Sequence, residues 1–96
     1  MKKRIYISGA MTGHPQLNFP AFHAEAARLR GEGHEVVNPA EINLDPGADW
    51  ATCLRADLAA LLQCNTIRML DGWMASRGAV LEHHVAVHLN FEVIYP

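Results

Sequence analysis

Apolar residues fall along this chain in two alternating arrangements, short continuous runs and longer stretches in which they return every three or four positions. The short runs predict strands at Arg4 to Ser8, His34 to Asn38, Thr66 to Leu70 and Glu92 to Tyr95. None alternates cleanly between apolar and polar, as expected of a parallel sheet covered on both faces. The longer stretches predict three helices. The first begins at Asn18 as N-cap with Pro20 in its first turn, places Phe19, Phe22, Ala26 and Leu29 on one face, and stops at Gly31 and Gly33. The second runs from Asp49 as cap to Gln63, and the third from Gly78 to Leu89.

The resulting order is β-α-β-α-β-α-β. Right-handed crossovers turn it into a small Rossmann-like or flavodoxin-like α/β fold, a parallel sheet in the order 2-1-3-4 with helices on both faces. Ninety-six residues make one such domain, spanning 1–96, and too little material for two cores. In this class ligands bind at the carboxyl edge of the sheet, where the strand order reverses between strands one and three. Gly9 to Gly13 and Asp71 to Gly78 lie at that edge.

Two acids break the helical pattern. At about 100° per residue, the stripe of the second helix contains Trp50, Cys53, Leu54 and Leu61, and Asp57 lies within about 60° of all four. In the third helix Glu82 lies within about 60° of Ala79, Val85, Ala86 and Leu89, while the opposite face carries His84 and His88. A carboxylate turned inward is costly unless paired, hydrogen-bonded or neutralised. One such acid can reach solvent at the margin of its stripe or make a structural hydrogen bond; two point to a shared polar site. Glu82, near a helix start, is expected to stay ionised, and Asp57, mid-helix among apolar neighbours, to be protonated. A nucleophile beside a proton donor is what retaining cleavage of a glycosidic bond requires.

Composition narrows the choice of ligand. Half of the residues are hydrophobic, the formal charge is -2, and no basic run could neutralise a nucleic acid backbone. The apolar run after Lys2, Lys3 and Arg4 ends at Gly9, too soon for a signal peptide or a membrane span, so a cytoplasmic protein is expected, with no membrane partner. A core this small makes a homo-oligomer a reasonable expectation. Cys53 and Cys64, about 16 Å apart along a helix, are too distant for a disulfide.

The segment Ser76-Arg77-Gly78-Ala79-Val80-Leu81-Glu82, followed by Ala86, resembles the catalytic segment of the nucleoside 2-deoxyribosyltransferase superfamily, including its 2'-deoxynucleoside 5'-phosphate N-hydrolase branch. Ile5-Tyr6-Ile7-Ser8-Gly9-Ala10-Met11-Thr12-Gly13 resembles that family's first strand and glycine loop, and Asp57-Leu58 with Cys64 the segment before its third strand. Asn38-Pro39-Ala40-Glu41 and Leu70-Asp71-Gly72-Trp73 are similar to short, often phage-associated proteins placed in the same superfamily. The resemblance implies that Glu82 attacks the anomeric carbon, that Asp57 assists proton transfer to the departing base, and that Tyr6 orients the sugar or Glu82. It implies that Ser8, Gly9, Met11, Thr12 and Gly13 pass along a nucleoside or nucleotide. Ser76 stands where the free-nucleoside transferases have Asp and the phosphate-accepting hydrolases Ser, which implies a 5'-monophosphate received by Ser76 and the amides of Arg77 and Gly78. The first loop departs from the hydrolases, which supply arginines there.

Trp73 could stack on a base or serve as a lid or subunit contact, and Asp71 could bind a ribose hydroxyl or cap its loop. His84 and His88 have the i, i+4 spacing of metal ligands, but no carboxylate or cysteine cluster completes a set, and surface histidines are the better account. Gly9-x-x-x-Gly13 has neither the dinucleotide nor the P-loop pattern, so no cofactor is expected. The function expected is cleavage or transfer at an N-glycosidic bond. The alternative is a non-catalytic nucleotide-binding module, a sensor or a sequestering protein.

Overall fold

The computed structural model describes residues 2–42 and 47–96. Four parallel strands, β1 (Arg4–Ser8), β2 (Glu35–Val37), β3 (Thr66–Met69) and β4 (Glu92–Ile94), form one sheet in the order β2-β1-β3-β4. Ile5 pairs with Val36 on one side and with Thr66 on the other, and Ile67 pairs with Val93, so the expected strand order is the observed one. Among the described residues four α-helices connect the strands: α1 (Phe19–Gly31), α2 (Pro39–Ile42), α3 (Trp50–Leu61) and α4 (Arg77–His88).

The alternation of β1 divides the core. Ile5 and Ile7 point to one face, where they pack with Phe22, Ala26 and Leu29 of α1 and with Ala40 and Leu70. Tyr6 points to the other, with Ile67 and Met69 of β3, Leu61 of α3, and Ala79 and Ala86 of α4. Helices therefore cover both faces, and the central strand is buried from Ile5 to Ser8. Arg68 leaves β3 on the α1 side and donates from Nε to Glu25 at 2.6 Å; hydrogen bonds from Arg28, first, and from Arg68 hold the Glu25 carboxyl down at about 2 against its burial.

Capping explains where the helices start. Asp49 accepts from the Thr52 amide at 2.7 Å and Ser76 from the Ala79 amide at 3.2 Å, each satisfying a donor that the first helical turn leaves open. Asn18 does not act as the expected side-chain cap. It adopts a left-handed conformation, and its amide instead donates to the Ala10 carbonyl at 3.0 Å, tying the start of α1 to the end of β1. Gln16 and Leu17 before it are also left-handed, with φ of 53° and 54°. Asn38 has the role expected of Asn18: buried at the end of β2, it accepts from the Ala40 amide and opens the short α2.

Two of the predicted apolar stripes divide along their length. In α3, Leu61 enters the core, but Cys53, Leu54 and Asp57 are only half-buried and Trp50 is 39% exposed. In α4, Ala79, Glu82 and Ala86 are buried while Leu89 is exposed, because the helix ends at His88 and Leu89 is its C-cap. The outer side of α4 carries exposed Val80, Leu81 and Val87 as well as His84 and His88. Among the described residues no helix is long and apolar enough to cross a membrane.

Candidate active site

Tyr6 and Ser8 are two residues apart on β1, so their side chains leave the same face of the sheet. Both meet Glu82 on α4. The Tyr6 hydroxyl donates to Glu82 Oε2 and the Ser8 hydroxyl to Glu82 Oε1, each at 2.7 Å. These are short, charge-assisted lengths, and each carboxylate oxygen receives one donor. Glu82 is 5% exposed, and the accessible part looks into a cleft of about 420 Å³ at the carboxyl edge of β1.

The cleft is walled by parts of the chain distant in sequence. The loop after β1 contributes Gly9, Met11 and Thr12, and α3 contributes Trp50, Cys53, Leu54 and Asp57. The start of α4 contributes Ser76, Gly78, Ala79 and Glu82. Leu17, Phe19, Phe22, Pro39 and Ala48 complete an apolar side. Gly9 is needed where β1 passes β3: a Cβ there would lie 2.9 Å from the Leu70 Cβ.

Burial governs the electrostatics. The Glu82 carboxyl is raised from 4.5 to about 7: desolvation pushes it up most, the hydrogen bonds from Ser8 and Tyr6 hold back part of that rise, and the charge of Asp57 adds to it. The expectation that a helix start keeps Glu82 fully ionised is therefore corrected: removal from water outweighs the helix, and the group titrates near neutrality. The Tyr6 hydroxyl is driven well above its usual value of 10, first by burial and then by Glu82 and Asp57, so it stays protonated and donates. Asp57, expected among packed apolar neighbours, is half-buried on the cleft wall, because the stripe around it faces the cavity rather than the core.

The structure brings together Tyr6, Gly9, Met11, Thr12, Asp57, Ser76, Gly78 and Glu82. It places five other predicted residues elsewhere. Ser8 is fully buried beneath the cleft and reaches it only through Glu82. Gly13 and Asp71 are exposed and do not line it. Trp73 turns toward the middle of α4 and the chain end after β4, its ring lying 4.4 Å from that of His83 and 6.3 Å from that of Tyr95. Arg77 is exposed, with its guanidinium 4.0 Å over the Trp50 ring. The indole at the cleft is thus Trp50, which the sequence shows only as the first residue of an apolar stripe. Its neighbour in that stripe, Asp57, was the available signal that the stripe faces a site.

Among the described residues no group of three or more His, Cys, Asp or Glu side chains is arranged to hold a metal ion. His84 and His88 lie with their rings 4.3 Å apart and tilted by 52° on the outer side of α4. Cys53 and Cys64 form no disulfide, and burial pushes the Cys64 thiol up to about 11.

No curated protein matches the chain. The model of a family described as "Domain of unknown function (DUF4406)" matches residues 3–95, and the chain belongs to that family.

Proposed function

We propose that this DUF4406 member cleaves or exchanges the N-glycosidic bond of a nucleoside or its 5'-monophosphate, with Glu82 as the nucleophile. The observation that carries the reading is a single carboxyl group, 5% exposed, gripped through both oxygens by Tyr6 and Ser8 and facing a cleft of nucleoside size. Two hydroxyl donors fix the rotation of the carboxylate, so attack on an anomeric carbon needs little reorganisation.

In the proposed reaction a Glu82 oxygen bonds to C1' as the C1'–N bond breaks and its electron pair leaves with the base. Water or a second base then attacks C1' and releases Glu82. Asp57, on the facing wall, exchanges a proton with the departing base or the incoming water. A carboxyl group titrating near 7 is about half ionised at neutral pH, which keeps the nucleophile available. The apolar side of the cleft, with Trp50 and Phe19, supports stacking on a base. Ser76 lies where a 5'-substituent would meet the start of α4.

The test is release of free base from a panel of nucleosides and 5'-monophosphates, followed by chromatography. Release by the wild type that falls at least about a thousandfold in Glu82→Gln supports the reading, such a loss being of the size expected for a covalent nucleophile. Release unchanged in Glu82→Gln contradicts it. Tight binding with no release from any member of the panel would mark a nucleotide-binding module instead.

A further inference from the structure

The two helical layers of the domain meet their surroundings differently. On one side α1 and α2 present ion-paired charges: Arg28 bonds Glu25 and Glu32, and Arg30 bonds Glu41. That is the surface of helices that stay in water. On the other side lie α3 and α4, which share the core around Leu61, Ala79 and Ala86 and are described throughout. The exposed side of α4 consists of Val80, Leu81, His84, Val87 and His88, its three apolar residues between 37% and 45% exposed. The exposed side of α3 carries Ala51, Ala56 and Ala59 with Thr52 and Arg55, and the helix ends on exposed Leu62. These two helices contain four charged residues. Glu82 is buried, Asp57 lines the cleft, Arg77 lies 4.0 Å over the Trp50 ring, and Arg55 stands on the outer side. Single exposed apolar residues are ordinary, but a contiguous layer of them marks a surface that another molecule covers.

We infer that this layer is the interface between two copies of the chain, with α4 of each copy lying on α3 of the other about a two-fold axis. Charge selects a second copy as the occupant. A two-fold contact sets a surface against itself, so charges of one sign repel across it, and a face whose outward fixed charge is Arg55 largely escapes that cost. Shape agrees. The branched side chains of Val80, Leu81 and Val87 stand out from α4, whereas Ala51, Ala56 and Ala59 leave α3 low, so the ridge of one copy seats on the alanines of the other. Area agrees as well. A stable dimer buries about 800 Å² on each copy, about a seventh of the 5614 Å² surface, and two adjacent helices on one side of a domain measuring 37 × 28 × 21 Å supply an area of that order. A lipid surface would instead call for a cluster of outward cations around the apolar residues. The inference is independent of the N-glycosidase reading, because the mass of the assembly decides it without turnover.

The experiment is sedimentation equilibrium of the 10.6 kDa chain and of charged variants, after circular dichroism melts establish that each variant folds. The wild type is expected to sediment as a dimer at concentrations up to about 100 µM. One variant carries Val80→Glu with Val87→Glu on α4, and another Ala56→Lys with Ala59→Lys on α3. All four positions are exposed, and Glu and Lys are good helix formers. Each variant alone would bury charges without partners, and its dimer should weaken at least about a hundredfold. Mixed in equal amounts, the two should regain a dimer, because the glutamates of one copy meet the lysines of the other. Ala24→Glu with Ala27→Glu, on the exposed side of α1, should leave the wild-type dimer unchanged. A wild type that stays monomeric overturns the inference, whether or not it binds vesicles of phosphatidylcholine and phosphatidylglycerol. A dimer that survives both charged variants, one lost equally through the α1 substitutions, or a mixture that fails to restore it also overturns it.

Discussion

At the scale of the residue, the grip of Tyr6 and Ser8 on Glu82 sets how that carboxyl behaves. The proposed activity requires the ionised carboxylate, so kcat/KM should rise with pH on a limb centred at about 7. Ser8→Ala removes a donor that stabilises the charged form, and the limb should move up by about one pH unit, as a lost charge-assisted hydrogen bond predicts. A limb that stays in place would show that Ser8 does not hold Glu82. Stability should respond with the opposite preference. Burial places the folded-state carboxyl above its unfolded value, so its favourable contribution is complete below about 4.5 and is lost as pH rises through about 7. The loss is on the order of 3 kcal/mol, from about 1.4 kcal/mol per unit. Glu82→Gln carries no such charge. Its melting temperature should match the wild type at about pH 5 and exceed it at about pH 8, and equal temperatures at both would contradict the raised value.

At the scale of the element, α3 does two jobs along one face, sealing the core at Leu61 and walling the cleft at Trp50, Cys53 and Asp57. Its first turn depends on the Asp49 cap. Asp49→Ala should cost about 1 kcal/mol in denaturant unfolding and speed hydrogen exchange in the turn that begins at Trp50. The periodicity of the sequence was enough to find this helix, its cap and its acid. It was not enough to tell a stripe facing a cavity from a stripe facing a core, because both select apolar residues at the same spacing. Trp73 shows the converse. Its place at the end of β3 suggested the ligand edge, but the 3-10 turn from Trp73 to Ala75 carries its ring to His83 and Tyr95, and no local pattern encodes that direction.

At the scale of the whole molecule, the strand order fixes where everything else converges. Short apolar runs separated by helical stretches admit few right-handed parallel arrangements, which is why the order 2-1-3-4 is legible in the sequence. The meeting of Glu82 with Tyr6 and Ser8, 76 and 74 residues away, is a tertiary event: the family resemblance implied a Tyr6 contact, whereas Ser8 was expected along the ligand and not on Glu82. The close approach of the chain just past the ends of the paired strands β1 and β3 leaves no room for a side chain at Gly9. Gly9→Ala should destabilise the protein by about 1 to 3 kcal/mol, measured by denaturant unfolding, as Leu70 is displaced; an unchanged midpoint would show that Leu70 yields freely. That Glu82 is a nucleophile is put to the test by mass spectrometry of protein quenched during reaction with 2'-fluoroarabinosyl analogues of adenosine and guanosine, whose fluorine slows release of the sugar. The account predicts a fluorosugar ester on the peptide containing Glu82, absent from Glu82→Gln. Base release without any adduct on Glu82, or an adduct that persists in Glu82→Gln, would contradict it.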